Sequence, residues 1–76
     1  MIVTHKIANT EYYIDENIIN TIRHLKDFLL TLIPDIRHDN IKIIKDGIEL
    51  KNDCLIKGIY AVDMVIVPIT CTQHIL

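Results

Sequence analysis

Residues 36–50 read IRHDNIKIIKDGIEL, and this stretch decides the fold of the chain. After a polar connector, residues 41–45 have the composition of a strand. Asp46-Gly47 is a tight-turn signal, because two-residue hairpin turns need residues that tolerate positive φ. Residues 48–50 then supply a short returning strand. The stretch therefore predicts a β-hairpin.

A helix is expected upstream of this hairpin. Asn20 or Thr21 stands where a side-chain oxygen can cap the first free amides. Apolar residues then recur at steps of three and four until Pro34 ends the helix. The apolar face consists of Ile22, Leu25, Leu29, Leu32 and Ile33, and Phe28 and Leu30 widen it on both flanks. We expect this face to be buried in the fold itself; alternatively, it also docks a partner or a second copy of the chain.

An N-terminal hairpin precedes the helix. Residues 1–7 alternate imperfectly as a strand does, and residues 11–14 carry the aromatic and β-branched side chains of a second strand. Residues 8–10 supply the turn between them, with Asn9 suited to a tight reversal.

A short turn and a last strand follow the central hairpin. Residues 54–56 are expected to form a short helical turn that ends at Gly58, which suits a left-handed cap. The apolar run over residues 62–67 predicts a strand in the middle of the sheet, and Pro68 ends its pairing because proline has no amide to donate. Residues 70–76 are expected to be a C-terminal tail.

Bulk properties restrict the class of protein. With 76 residues the chain is one domain. Apolar residues make up 50% of it, so burying the excess against a partner or a second copy is reasonable. The 8 basic residues are scattered and the net charge is −2, which argues against nucleic-acid binding.

The N-terminus shows no secretory leader, and no apolar stretch approaches the length of a membrane span. We therefore expect a cytoplasmic protein, or a nuclear one, with no membrane partner. Cys54 and Cys71 are expected to be free thiols of a reducing compartment.

The order strand, strand, helix, strand, short strand, strand resembles ubiquitin and its relatives. The residues that carry the likeness in the central stretch are Ile36, Asp39, Lys42, Ile43, Ile44, Gly47 and Leu50. The closing run from Gly58-Ile59 to Asp63-x-Val65-x-Val67 is similar to the ending of ubiquitin-like domains. The resemblance implies an α+β, ubiquitin-like β-grasp domain over residues 1–69, with a mixed sheet of four to five strands and one packed helix.

The chain departs from this family at its C-terminus. Conjugated ubiquitin-like proteins end in Gly-Gly, whereas this sequence ends in Gln73-His74-Ile75-Leu76 and its only glycines are Gly47 and Gly58. Residues 44–50 also look like part of elongin B, an adaptor subunit that is not conjugated. The resemblance therefore implies a non-conjugated protein-interaction module that acts in the ubiquitin system or mimics it. The alternatives are a structural subunit or homo-oligomer that buries the helix flank, and a modifier if the native chain continues to a Gly-Gly.

The resemblance places the partner-binding surface on the sheet, around the outward isoleucine of the third strand. If Ile43 points inward, alternation points Ile44 outward. For the last strand we expect Val65 and Val67 to point inward, and Met64 and Ile66 outward beside Ile44. The predicted binding set is Ala8, Lys42, Ile44, Gly47, Ile66 and Pro68. Alternatively, the tail covers this face with Ile75 and Leu76.

No catalytic, metal or cofactor site is predicted. Cys71-x-x-His74 is a single pair, whereas a structural zinc site needs about four ligands. There is no glycine-rich phosphate loop and no paired-carboxylate site. Lys26 is the candidate for a buried charge, and its expected structural partner is Asp53 or Asp46.

Overall fold

The computed structural model describes residues 1–67 and contains five strands and one α-helix. The strands are β1 (Ile2–His5), β2 (Thr10–Tyr13), β3 (Ile41–Lys45), β4 (Ile48–Glu49) and β5 (Ala61–Ile66), and the helix is α1 (Ile22–Leu32). Two short 3₁₀ turns lie at Glu16–Ile18 and His38–Asn40. The order of the strands and the helix follows the prediction, and the second 3₁₀ turn lies within the connector that was predicted to be polar.

All five strands belong to one mixed sheet in the order β2-β1-β5-β3-β4. β1 runs parallel to β5, and the other three pairs are antiparallel. The predicted central position of the last strand is confirmed. β1 is shorter than predicted because the chain already turns at residues 6–9, where Asn9 has a φ of 53°.

Helix α1 begins at the predicted cap. The Thr21 hydroxyl oxygen accepts a hydrogen bond from the His24 amide at 3.2 Å, which satisfies one of the free donors of the first turn. At the other end the Ile33 amide donates to the Leu29 carbonyl at 2.9 Å. Leu32, predicted to lie on the buried face, is exposed.

The core lies between α1 and one face of the sheet. The helix contributes Ile22, Leu25 and Leu29, and the sheet contributes Val3, Ile41, Ile43, Val62 and Met64. Phe28 and Leu30, the predicted flank for a second copy, are half-buried and pack against this core. The described residues thus form a small α+β unit with one helix on a five-stranded mixed sheet.

Two turns have the backbone conformation that their residues predict. Asp46 and Gly47 both have positive φ, 53° and 80°, as a type I′ hairpin turn requires. Gly58 has the predicted positive φ, 84°, but the predicted helical turn over residues 54–56 is wrong, because Leu55 forms a β-bridge with Thr21.

Lys26 is buried, with 6% of its surface exposed, but its predicted partner is wrong. Its Nζ donates to the side-chain oxygen of Asn52 at 2.7 Å, not to a carboxylate of Asp53 or Asp46. Burial lowers the pKa of Lys26, because the charged ammonium loses water without gaining a paired anion.

Candidate functional site

The outer face of the sheet, on the side away from α1, carries the predicted binding residue Ile44. Ile43 is fully buried and Ile44 is half-buried, so the predicted orientation of β3 is confirmed. Ile44 lies opposite Asp63 of β5 and Glu49 of β4. Because directly opposed residues of an antiparallel pair share a face, these two acidic side chains flank Ile44.

The predicted orientation of β5 is wrong. Val62 and Met64 are 4% and 2% exposed, and Ile66 packs against the same core. Alternation then places Asp63 and Val65 on the outer face. The apolar run of β5 does not by itself indicate which side chains point inward. Asp63 is the only polar residue within it, and an outward Asp63 was the signal that indicates the observed orientation. Ile66 and Ile44 therefore lie on opposite faces of the sheet.

Val65 takes the place beside Ile44 that was predicted for Ile66. It lies opposite Lys42, two residues from Ile44 along β3. Both Ile44 and Val65 are half-buried. They form a small apolar centre, which we call the Ile44 patch.

Charged side chains surround the Ile44 patch. Lys42 Nζ and Glu49 Oε1 are 3.4 Å apart, and Lys6 Nζ lies 3.9 Å from an oxygen of Asp63. All four side chains are substantially exposed, so these ion pairs contribute little stability. They place both signs of charge around one apolar centre, which can orient a partner.

The other predicted binding residues are spread along the sheet. Ala8 is exposed in the turn between β1 and β2, and Gly47 is exposed in the turn between β3 and β4. The strand registers place these two turns at opposite ends of the sheet. Pro68 and the tail residues Ile75 and Leu76 lie outside the described residues.

A second apolar row on the outer face was not predicted. Ile2 lies between Tyr13 of β2 and Ala61 of β5. The Tyr13 hydroxyl donates to the Glu11 carboxylate at 2.8 Å, and this hydrogen bond to a negative charge raises the pKa of Tyr13. The alternation of β1 about the buried Val3 contains the signal for this row, because it points Ile2 outward.

Within residues 1–67, no group of three or more His, Cys, Asp or Glu side chains is arranged to hold a metal ion. The pair Cys71-x-x-His74 lies beyond these residues. The described part of the chain also contains no helix that is long and apolar enough to span a membrane.

The outer face thus combines an apolar centre with a charged surround. Comparisons of the chain with protein-family models, with curated proteins and with solved structures find no significant match.

Proposed function

We propose that this chain is a non-conjugated, ubiquitin-like β-grasp module that binds a protein partner through the Ile44 patch. The observation that carries the proposal is the position of Ile44, half-buried on the sheet face opposite α1. The element order and the resemblance of residues 36–50 to ubiquitin support the β-grasp assignment. A component of the ubiquitin system is the partner that this resemblance favours.

The charges around the patch define the complementary partner surface. A small apolar side chain would contact Ile44 and Val65, and a basic group would approach Asp63 and Glu49. Because the ion pairs at the rim are exposed, most of the binding free energy would come from the apolar centre. Such a small surface is typical of weak, transient binding.

The modifier alternative requires a C-terminal Gly-Gly. Gly47 and Gly58 cannot supply it, because both occupy positive-φ turns within the described fold. This alternative therefore depends on a native chain that continues beyond Leu76.

The proposal is tested with Ile44→Lys, using Ile7→Lys as the matched control. Lysine removes the apolar contact while its charge is balanced by Asp63 and Glu49, whereas Ile44→Asp would place three carboxylates together. Ile7 lies exposed in the turn between β1 and β2, so the same change there leaves the patch intact. Wild type and both variants are immobilised, and proteins retained from an extract of the source cells are quantified by mass spectrometry.

We expect one or more proteins to be retained by wild type and by Ile7→Lys, and their retention by Ile44→Lys to fall at least about tenfold. Circular dichroism should show that all three proteins are folded. Equal retention by Ile44→Lys and wild type would refute binding through this patch. If the retained proteins lie outside the ubiquitin system, the assignment of the partner is refuted, but the Ile44 patch still stands as the binding surface.

A further inference from the structure

A groove of about 630 Å³ opens at the end of the sheet where β1 and β5 begin. The lining residues of one wall come from the segment before α1, and those of the other come from the segment before β5: Glu16, Asn17, Ile19 and Asn20, and Leu55, Ile56, Lys57, Gly58 and Tyr60. The Ile56 amide donates to the Asn20 carbonyl at 3.1 Å, and a β-bridge joins Thr21 to Leu55. The two walls are thus tied together by backbone hydrogen bonding, which keeps the groove in shape.

The groove exposes large apolar side chains. Leu55 and Tyr60 are 66% and 68% exposed, while Ile19 and Ile56, which also line the groove, belong to the core. Ile18, next to the first wall, is exposed as well. Tyrosine and leucine side chains in this setting gain free energy when another surface removes them from water.

The two walls carry opposite charges. Glu16 lies on the first wall and Lys57 on the second. Within residues 1–67, neither side chain takes part in an ion pair. A face with an acid on one wall and a base on the other is complementary to itself under two-fold rotation.

We propose that a second copy of this chain packs against this groove and forms a symmetric dimer. A two-fold axis along the groove sets the acidic wall of each copy against the basic wall of the other, so Glu16 faces Lys57 twice. The same rotation sets Leu55 and Tyr60, which lie on the basic wall, against the first wall of the other copy, next to the exposed Ile18. β5 runs from this groove toward the other end of the sheet, so Val67, the last residue that the structure describes, lies at the end far from the groove.

The dimer does not depend on the proposed function. The groove is formed by the segments before α1 and before β5, whereas Ile44 lies on the outer face of β3. Ile44→Lys should therefore leave the dimer intact. A failure of partner binding and a failure of dimerisation can be told apart.

A charge-exchange experiment tests the dimer by sedimentation equilibrium, from micromolar to near-millimolar concentrations. We expect wild type to dimerise, and Glu16→Lys and Lys57→Glu each to weaken dimerisation by at least about tenfold, because like charges then face each other. An equimolar mixture of the two variants should dimerise again, since one chain presents two bases and the other two acids. Leu32→Asp, on the exposed end of α1, is the control for the helix surface and should not change the dimer.

Three results would overturn the proposal. The first is a wild-type protein that remains monomeric over the whole concentration range. The second is a mixture of the two charge variants that dimerises no better than either variant alone. The third is loss of the dimer in Leu32→Asp with no loss in Glu16→Lys, which would place the contact on the helix. Thermal denaturation of each variant shows whether it is folded, and Leu55→Asp provides an independent change at the same contact.

Discussion

Lys26 is the only basic side chain buried in the described part of the fold, and it is held by a neutral amide. A buried ammonium without a paired anion is costly, because the hydrogen bond to Asn52 replaces only part of its lost hydration. Asn52 itself is exposed, so a carboxylate at this position would keep most of its own water. A single substitution at position 52 can therefore stabilise the buried ammonium of Lys26.

We expect Asn52→Asp to raise the free energy of unfolding at pH 7 by about 1 kcal/mol, because it converts the amide contact into an ion pair. Urea denaturation measures the change. In a Lys26→Met background the same substitution should give no stabilisation, since the cation is gone. Stabilisation of equal size in both backgrounds would show that the carboxylate acts elsewhere.

The pH dependence provides a second measurement of the same effect. Burial lowers the pKa of Lys26 in the folded chain below its ordinary value near 10.5. At pH values between this lowered pKa and 10.5, the unfolded chain holds more protons than the folded chain. The contribution of Lys26 to the free energy of unfolding therefore rises with pH in this window. Asn52→Asp brings the pKa of Lys26 back toward its ordinary value, so the rise should become smaller.

Residue-scale features differed in how far the sequence could predict them. The Thr21 cap and the positive φ of Asp46 and Gly47 follow from local chemistry, and both were predicted. The partner of Lys26 was not, because residues 51–53 present three adjacent polar side chains whose order in space depends on the path of the loop. A local pattern indicates which residue caps a helix, but not which loop atom contacts a side chain that is distant in sequence.

At the scale of elements, the phase of β5 decides which side chains a partner can reach. β3 and β5 pair antiparallel with Ile43 opposite Met64 and with Lys42 opposite Val65. The first pair faces α1, and the second faces outward. Two neighbouring residues of one strand therefore have opposite environments.

We expect Met64→Asp to abolish folding and Val65→Asp to be tolerated. A carboxylate at position 64 would be buried without a partner, and together with the lost methionine it costs at least about 4 kcal/mol. At position 65 the carboxylate lies opposite Lys42, so we expect a loss of only about 1 kcal/mol. Circular dichroism and urea denaturation of both variants provide the measurement. An unfolded Val65→Asp beside a folded Met64→Asp would mean that the strand has the opposite phase.

The elements themselves were more predictable than their faces. Hairpin turns, the helix cap and the helix period are signals within a few residues, and the elements that depend on them lie where expected. The apolar run of β5 does not alternate, and its one polar residue, Asp63, is the single local signal of which side chains point outward. In the fold this orientation is fixed by pairing with β1 and β3, which are far away in sequence. The apolar run alone therefore predicts only the β3 side of the Ile44 patch.

For the molecule as a whole, the strand order makes β5 the centre of stability. β5 pairs with β1 on one side and β3 on the other, while β2 and β4 each pair along one edge only. The end of β5 is tied down as well: the Val67 amide donates to the Asn40 carbonyl at 2.8 Å, and the Asn40 side-chain amide donates to the Val67 carbonyl at 2.6 Å. Asn40 is itself buried, so these bonds are shielded from water.

Native-state hydrogen exchange should reproduce this order. Amides of β5 and of its neighbours β1 and β3 are expected to exchange only through global unfolding, with the free energy that urea denaturation gives for the whole domain. The two-residue strand β4 is expected to exchange through local opening at a distinctly lower free energy, because its hydrogen bonds lie at an edge and its side chains are exposed. The measurement is made below the concentration at which any dimer forms, so that association does not add protection. Protection of β4 equal to that of β5 would mean that the sheet opens as one unit, and that the edge strands belong to the same cooperative core as the centre.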